Sequence, residues 1–223
     1  MSINLFIEAI IKVTLGVLII ALLLFFPAKT ITYWNAWLFL GLLVIPMFIA
    51  GIVMMIKSPE LLKKRLKAKE EQTEQKLVIV LSAIMFITGF IVAGLNYRYE
   101  WLILPKNMVI ISSIIFVLAY ILYAEVLREN KYLSRTIEIQ ENQEVIDKGL
   151  YGIIRHPMYA ATIFLFLSMP LILGSIHSFV IFLIYPFIIS KRIKNEEELL
   201  EKDLKGYSEY KKKVKYKIIP FIW

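Results

Sequence analysis

Apolar runs at 5–26, 34–56, 77–95, 108–127, 158–173 and 176–190 alternate with charged segments along this chain. The first four reach the ~20 residues that a helix needs to cross a hydrocarbon core. The last two are shorter and only Gly174-Ser175 separates them, so they predict a tight two-helix hairpin or a partly re-entrant pair. Pro170 lies inside the first of these and predicts a kink. The fold expected is all-α, a polytopic integral membrane protein with about six transmembrane segments whose last two form the hairpin. No basic residue precedes the run at 5–26 and no small-residue cleavage site follows it, so it is expected to stay as an anchor.

Charge then orients the segments. Segment 57–76 carries seven Lys and Arg, 128–156 carries five and 191–223 carries ten, against one in 28–33, two in 96–106 and none in 174–178. With six crossings all the rich loops share one side, which the positive-inside rule assigns to the cytoplasm together with both termini. Five crossings would put the ten-charge tail opposite the other two. Hydrophobic residues make up 59% of the chain, so the net charge of +8 points to anionic headgroups as partners and not to nucleic acid, for which no fold or stacking signature is present. The absence of cysteine excludes disulfides, thiolate metal sites and a cysteine nucleophile. Two histidines are too few for a metal cage, which leaves Arg, Glu, Tyr and one His for chemistry.

The chain divides into 1–127, four membrane helices with a cytoplasmic amphipathic loop at 57–76, and 128–223, which holds the hairpin at 158–190 between polar flanks. Within the loop, Ser58-Pro-Glu-Leu starts a helix, with Pro59 at the first helical position and Glu60 in the first turn. Leu61, Leu62 and Leu66 alternate there with Lys63, Lys64, Arg65 and Lys67, the pattern of an interfacial helix.

The antiparallel hairpin brings its two ends together, so the cluster near His156-Pro157 is expected to touch the one near Ser190-Lys-Arg192. Pro157 suits the first position of a helix whose free amides and dipole would favour an anion. Arg192 and Glu196 are four apart and share a helix face, with Glu197 and Glu198 rotated around it. Such a pocket offers Arg155 and a helix N-terminus to an anion, and carboxylates to a cation or to ribose hydroxyls. Tyr151, Tyr159, Tyr207 and Tyr210 offer rings to an aromatic base. Taken singly, Arg155 and His156 read as positive-inside charges, Glu196 to Glu198 as a solvated helix face, and the tyrosines as interface belt residues. His177 and Glu125 read as structural, and Glu8 with Lys12 as a helical ion pair.

The run Val145-Ile-Asp-Lys-Gly-Leu-Tyr-Gly-Ile-Ile-Arg-His-Pro-Met-Tyr159, then Arg192-Ile-Lys-Asn-Glu-Glu, then Gly206-Tyr-Ser-Glu-Tyr and Ile219-Pro220, resembles the isoprenylcysteine carboxyl methyltransferase family and its phospholipid N-methyltransferase relatives. The resemblance covers roughly residues 125–223. It implies an S-adenosylmethionine-dependent methyltransferase whose cofactor lies in a cytoplasmic pocket and whose lipophilic acceptor enters from the bilayer. Carried across by motif, the cofactor contacts are Gln143, Glu144, Val145, Ile146, Gly149, Tyr151, Arg155, His156, Pro157, Met158 and Tyr159, with Glu196 opposite. Arg192 matches the position that holds the acceptor's polar head, and Glu196 and Glu197 are the candidate bases. Two departures from the pattern, Ala160-Ala161 in place of a glycine and Leu204-Lys-Gly206 in place of Phe-Gly, argue against assuming the eukaryotic substrate.

A carboxylate acceptor would need no base, whereas an amine must lose a proton. The carboxylate of a prenylated or lipid-like molecule is the favoured acceptor. The ending Val214-Lys-Tyr-Lys-Ile-Ile-Pro-Phe-Ile-Trp223 is also similar to the C-terminal stretch of membrane sterol reductases, which use NADPH. A 2′-phosphate, however, would favour more basic surroundings than the glutamate-rich helix. A non-enzymatic lipid-binding protein is the remaining alternative.

Overall fold

The computed structural model describes residues 3–66, 73–133 and 139–223. These form helices α1 (Ile3–Ala28), α2 (Trp34–Lys57), α3 (Pro59–Leu66), α4 (Thr73–Tyr99), α5 (Lys106–Glu129), α6 (Pro157–Ile172), α7 (Ile176–Phe182), α8 (Tyr185–Asp203) and α9 (Tyr207–Lys213), with a 3-10 turn at Gly149–Gly152. No named strand occurs among the described residues, so the fold is all-α. Five stretches are long and apolar enough to cross a membrane: Leu5–Ala28, Trp34–Lys57, Lys76–Tyr99, Lys106–Glu129 and Ile176–Asp203. The shorter apolar helix α6 accompanies them. Ile11, Leu18, Leu22, Ile45, Ile84, Ile110 and Leu118 are among many large apolar side chains left exposed on these helices. A surface of that extent is stable against lipid tails and not against water, and the protein is a polytopic membrane protein.

The last apolar run differs from its sequence reading. It is not one helix over 176–190 but two, broken at Leu183-Ile184, and α8 runs on to Asp203. Pro186 lies at the start of α8 and has no N–H to donate to the carbonyl four residues earlier, so α7 ends and a new helix begins. Beyond the break α8 carries Arg192 and Glu196 past the end of the apolar run. Pro170 lies within α6 and does not end it.

Polar groups pin the hairpin turn. The last carbonyls of α6 have no partner within the helix, and side chains from the start of α2 supply one each. The Tyr33 hydroxyl donates to Leu173 O at 2.6 Å and Asn35 Nδ2 to Ile172 O at 2.8 Å. Gly174 takes a left-handed φ of 75° beside Asn35, a conformation that a side chain would strain. Below the turn, the ring of Phe182 occupies the space that a Cβ on Gly89 would need, so this glycine lets α4 and α7 approach closely. Phe86 sets its ring edge-on to Phe166 and Phe182, at centroid distances of 4.8 and 5.4 Å.

The short helix α3 buries Leu61 and Leu62 and leaves Lys63 exposed, as its amphipathic pattern requires. Arg65 donates to the Tyr123 hydroxyl of α5. Lys67 and the Lys64 side chain lie outside the described residues, as does the stretch 67–72 of the loop. Lys12 pairs with Glu8 at 2.6 Å and also reaches the Leu66 carbonyl.

Candidate active site

The start of α6 and the middle of α8 meet through side chains. Tyr159 donates its hydroxyl hydrogen to Glu196 Oε2 at 2.6 Å, and Arg192 Nε donates to the same hydroxyl oxygen at 3.0 Å. Arg192 and Glu196 share one face of α8 because they are one helical turn apart, and Tyr159 bridges them from α6. The hairpin thus turns a sequence separation of more than thirty residues (|i−j| of 37 for Tyr159 and Glu196) into direct contact.

Next to this array Glu197 is buried among cations. Its Oε1 accepts from Arg155 Nε at 2.7 Å and lies 3.2 Å from His156 Nε2, while its Oε2 lies 3.2 Å from Lys217 Nζ and 3.9 Å from Lys211 Nζ. Arg155 continues outward, its Nη1 donating to Val214 O and Lys215 O at 2.7 and 2.8 Å. The backbone joins in: Arg155 N donates to Tyr216 O at 2.9 Å and His156 N to Lys217 O at 2.8 Å. These bonds make a clasp that ties α6, α8 and the segment after α9 into one unit. A buried carboxylate with so many donors satisfies the requirement that interior charge be paired and hydrogen-bonded.

The clasp changes two sequence expectations. The Arg155 guanidinium, read as a holder of anions, gives its Nε to Glu197 and its Nη1 to two carbonyls. Most of the amides expected to be free at the start of α6 are also engaged: His156 bonds Lys217, Pro157 has none, and Tyr159 and Ala160 close onto the His156 carbonyl. Nothing in the local sequence signalled that a segment some sixty residues further on (|i−j| of 59 for Arg155 and Val214) would occupy them.

A cavity of about 880 Å³, counting its open mouth, adjoins the Arg192–Tyr159–Glu196 array. Of the residues singled out from sequence, Gln143, Glu144, Val145, Ile146, Tyr151, Arg155, His156, Met158, Tyr159, Arg192 and Glu196 line it. Gly149, Pro157 and Glu197 are not part of the lining. Pro157 is fully buried at the first position of α6. Gly149 has a φ of 59°, and a Cβ there would collide with the Glu129 carboxylate, which accepts from Leu150 N at 2.9 Å. Gly149 therefore shapes the turn that carries Tyr151. Gly149→Ala is expected to cost about 1–3 kcal/mol, measured by denaturant titration in detergent. An unchanged midpoint would show that the turn adapts.

Asn130, Tyr132, Leu199, Leu200 and Leu204 also line the cavity and were not singled out from sequence. The leucines could have been found, since they follow Glu196 at helical spacing. Asn130 could not: its side chain matters because Nδ2 donates to the Tyr151 hydroxyl at 2.8 Å across the loop. Asp147 is tied to Lys213 at 2.9 Å, and the lysine ammonium holds its carboxyl below the usual carboxylate range. Glu125 pairs with Arg128 on α5, and His177 Nδ1 lies 2.9 Å from Asn96 Oδ1, so both have structural partners remote from the cavity.

Five tyrosines contribute to the lining, and four hold hydrogen bonds through their hydroxyls. Tyr132 donates to Asn142 O, Tyr151 accepts from Asn130, Tyr159 bonds Glu196 and Arg192, and Tyr210 donates to Tyr151 O at 2.7 Å. The Tyr207 hydroxyl is buried and has no hydrogen-bond partner. Burial pushes the Tyr151, Tyr207 and Tyr210 phenols above their ordinary range, and for Tyr207 the Glu197 and Glu196 charges add to this. All three stay protonated and neutral at physiological pH.

The donor set suits a cationic nucleoside. Glu196 and Glu144 offer negative charge or acceptors for hydroxyls, Gln143 offers an amide, and the tyrosine rings and leucines offer flat apolar surface. The orphaned Tyr207 hydroxyl shows that one polar group there still lacks a partner.

Comparison with known proteins bears on the same region. Residues 108–202 match the model of the isoprenylcysteine carboxyl methyltransferase (ICMT) family. A stretch of 91 residues, 40% of the chain, is 28% identical to Delta(14)-sterol reductase TM7SF2 of Mus musculus. That match covers 22% of the reductase, so the chain spans well under two thirds of this relative.

Proposed function

We propose that this chain, whose residues 108–202 match the model of the isoprenylcysteine carboxyl methyltransferase family, is a membrane-embedded, S-adenosylmethionine-dependent methyltransferase acting on a lipophilic acceptor. The observation that carries this reading is the Arg192–Tyr159–Glu196 array set beside a cavity with aromatic, apolar and carboxylate lining. The cofactor would be held by Gln143, Glu144, Val145, Ile146, Tyr151, Met158 and Glu196, and it would supply an already activated methyl carbon. Arg192 orients the acceptor's polar head. The apolar walls exclude water and leave an anionic head poorly solvated, which raises its reactivity. A carboxylate acceptor, favoured by the Arg192 guanidinium, needs no base. An amine acceptor would pass its proton to Glu196, because Glu197 is locked among Arg155, His156 and Lys217 and acts as a positioning residue. With α6 counted as a sixth crossing, the positive-inside distribution supports a cytoplasmic placement of both termini and of this site.

A reductase reading has the similarity to the sterol reductase in its favour. Against it, the lining holds two arginines, one of them spent on Glu197, beside the carboxylates of Glu144 and Glu196, a poor setting for the phosphates of NADPH. Calorimetric titration of the detergent-purified protein with S-adenosylmethionine, its demethylated product and NADPH separates the readings. Saturable heats are expected for the first two and none for NADPH. Binding of NADPH alone would replace the methyltransferase with a reductase, and silence from all three would favour a non-enzymatic lipid-binding protein.

A further inference from the structure

We propose that the loop 219–223 is an interfacial anchor, whose Phe221 and Ile222 side chains insert into the leaflet that borders the cavity while neighbouring lysines meet its anionic headgroups. The inference rests on the membrane class of the protein and not on the methyltransferase reading. Phe221 is 87% exposed, the highest value for any large apolar side chain among the described residues, and Ile222 is 77% exposed. Neither lies on a spanning helix, where lipid tails would account for it. Their level is nevertheless fixed by the clasp. The amides of Arg155 and His156 bond the carbonyls of Tyr216 and Lys217, so this segment is held at the start of α6, where the apolar run begins. Ile218, 3% exposed, belongs to the buried core that includes Tyr159, Ile189 and Ile193, and Tyr216 packs against that core. The loop thus sits on the membrane-spanning part, with Phe221 and Ile222 left at the level of the headgroups.

The display is built into the backbone. Phe221 has a φ of 66°, a left-handed conformation that is uncommon for a bulky residue and persists only where surrounding bonds impose it. Here they do: Ile222 N and Trp223 N both donate to Ile219 O, and the amides of Lys217, Ile218 and Ile219 all donate to Trp223 O at 3.0 to 3.1 Å. In water such a turn would forgo the burial of two large apolar groups, and exposed groups of this kind mark a surface that meets a membrane or another protein. Charge decides between the two. Lys212 and Lys215 are exposed and have no ion pair among the described residues, and Lys217 sets its ammonium 5.7 Å from the centre of the Trp223 ring. Apolar and aromatic tips rimmed by lysines have the composition that binds an anionic lipid surface.

The chain has no cysteine, so single-cysteine variants of the full protein can be spin-labelled without background. In nanodiscs of phosphatidylcholine and phosphatidylglycerol, labels on Phe221→Cys and Ile222→Cys are expected to collide more with oxygen, which partitions into lipid, than with a water-soluble nickel chelate. A label on Lys212→Cys is expected to show the reverse. Ile222 has no left-handed φ, so its variant carries the test if Phe221→Cys fails to fold. Leaving out the phosphatidylglycerol is expected to raise nickel collisions at 221 and 222, because the lysines lose their counter-charge; no change would overturn the assignment of anionic headgroups as the partner. Equal nickel access at 212, 221 and 222 would place the loop in water and overturn the inference. Spin–spin broadening between labels at 221 that vanishes on dilution with unlabelled protein would put a second copy of the chain on the patch and overturn it likewise. S-adenosylmethionine plays no part in the readout, so neither result bears on the cofactor.

Discussion

Glu197→Ala is expected to destabilise the protein by about 3–5 kcal/mol, because it leaves the buried Arg155 charge without its counterion. The carboxylate is 5% exposed and the Arg155 side chain 4%, so water cannot take over its role. The loss should be felt first where the clasp holds the chain together, in the segment 214–217 that bonds Arg155 and His156. Denaturant titration in detergent should show a lower midpoint, and limited proteolysis should cut the C-terminal segment faster than in the wild type. Replacing Arg155 by methionine in the same chain should recover part of the loss, since the stranded charge goes with it. A stability change below about 0.5 kcal/mol, the range of ordinary surface substitutions, would mean that Glu197 is not the centre of the clasp.

The neighbouring residues should behave differently. Glu196→Gln is expected to leave the protein folded, because the amide oxygen can still accept from Tyr159, but to weaken S-adenosylmethionine binding by about 10-fold to 100-fold, the worth of a charge-assisted contact. Arg192→Lys is expected to keep cofactor affinity and lower turnover by about 100-fold. A lysine ammonium cannot hold the Tyr159 hydroxyl and an acceptor head in one fixed fork. The two variants separate binding from orientation, so titration calorimetry and single-turnover transfer to a lipophilic carboxylate should be read side by side. Unchanged affinity in Glu196→Gln would remove the pocket described here. Full turnover in Arg192→Lys would remove Arg192 from the acceptor.

The contrast between Glu196 and Glu197 marks where the sequence stops being informative. Adjacent positions on a helix differ by about 100° in direction, so one faces the cavity and the other the clasp. The helical spacing placed Arg192 and Glu196 on one face, but nothing in the run of three glutamates says which face turns toward α6. Packing decides that, and it left Glu198 exposed on the outside, 3.9 Å from Lys194. The same limit applies to Arg155. Its residue type and its place beside a helix start read as an anion site, and only the return of the segment 214–217 shows that its Nη1 is held by two carbonyls.

By itself the sequence determined the membrane class and the positions of the apolar runs, because hydrophobic length must match bilayer thickness wherever the chain folds. It also determined that 158–173 and 176–190 pair as a hairpin, because a two-residue link permits little else, and that the motif residues at both ends meet. It could not show the break at Leu183-Ile184 before Pro186, or the hydrogen bonds that hold the lining tyrosines. Those depend on which hydrogen bonds close between segments far apart along the chain. Such bonds exist only once the helices have packed, and tertiary structure alone selects which of several chemically equal groups they engage.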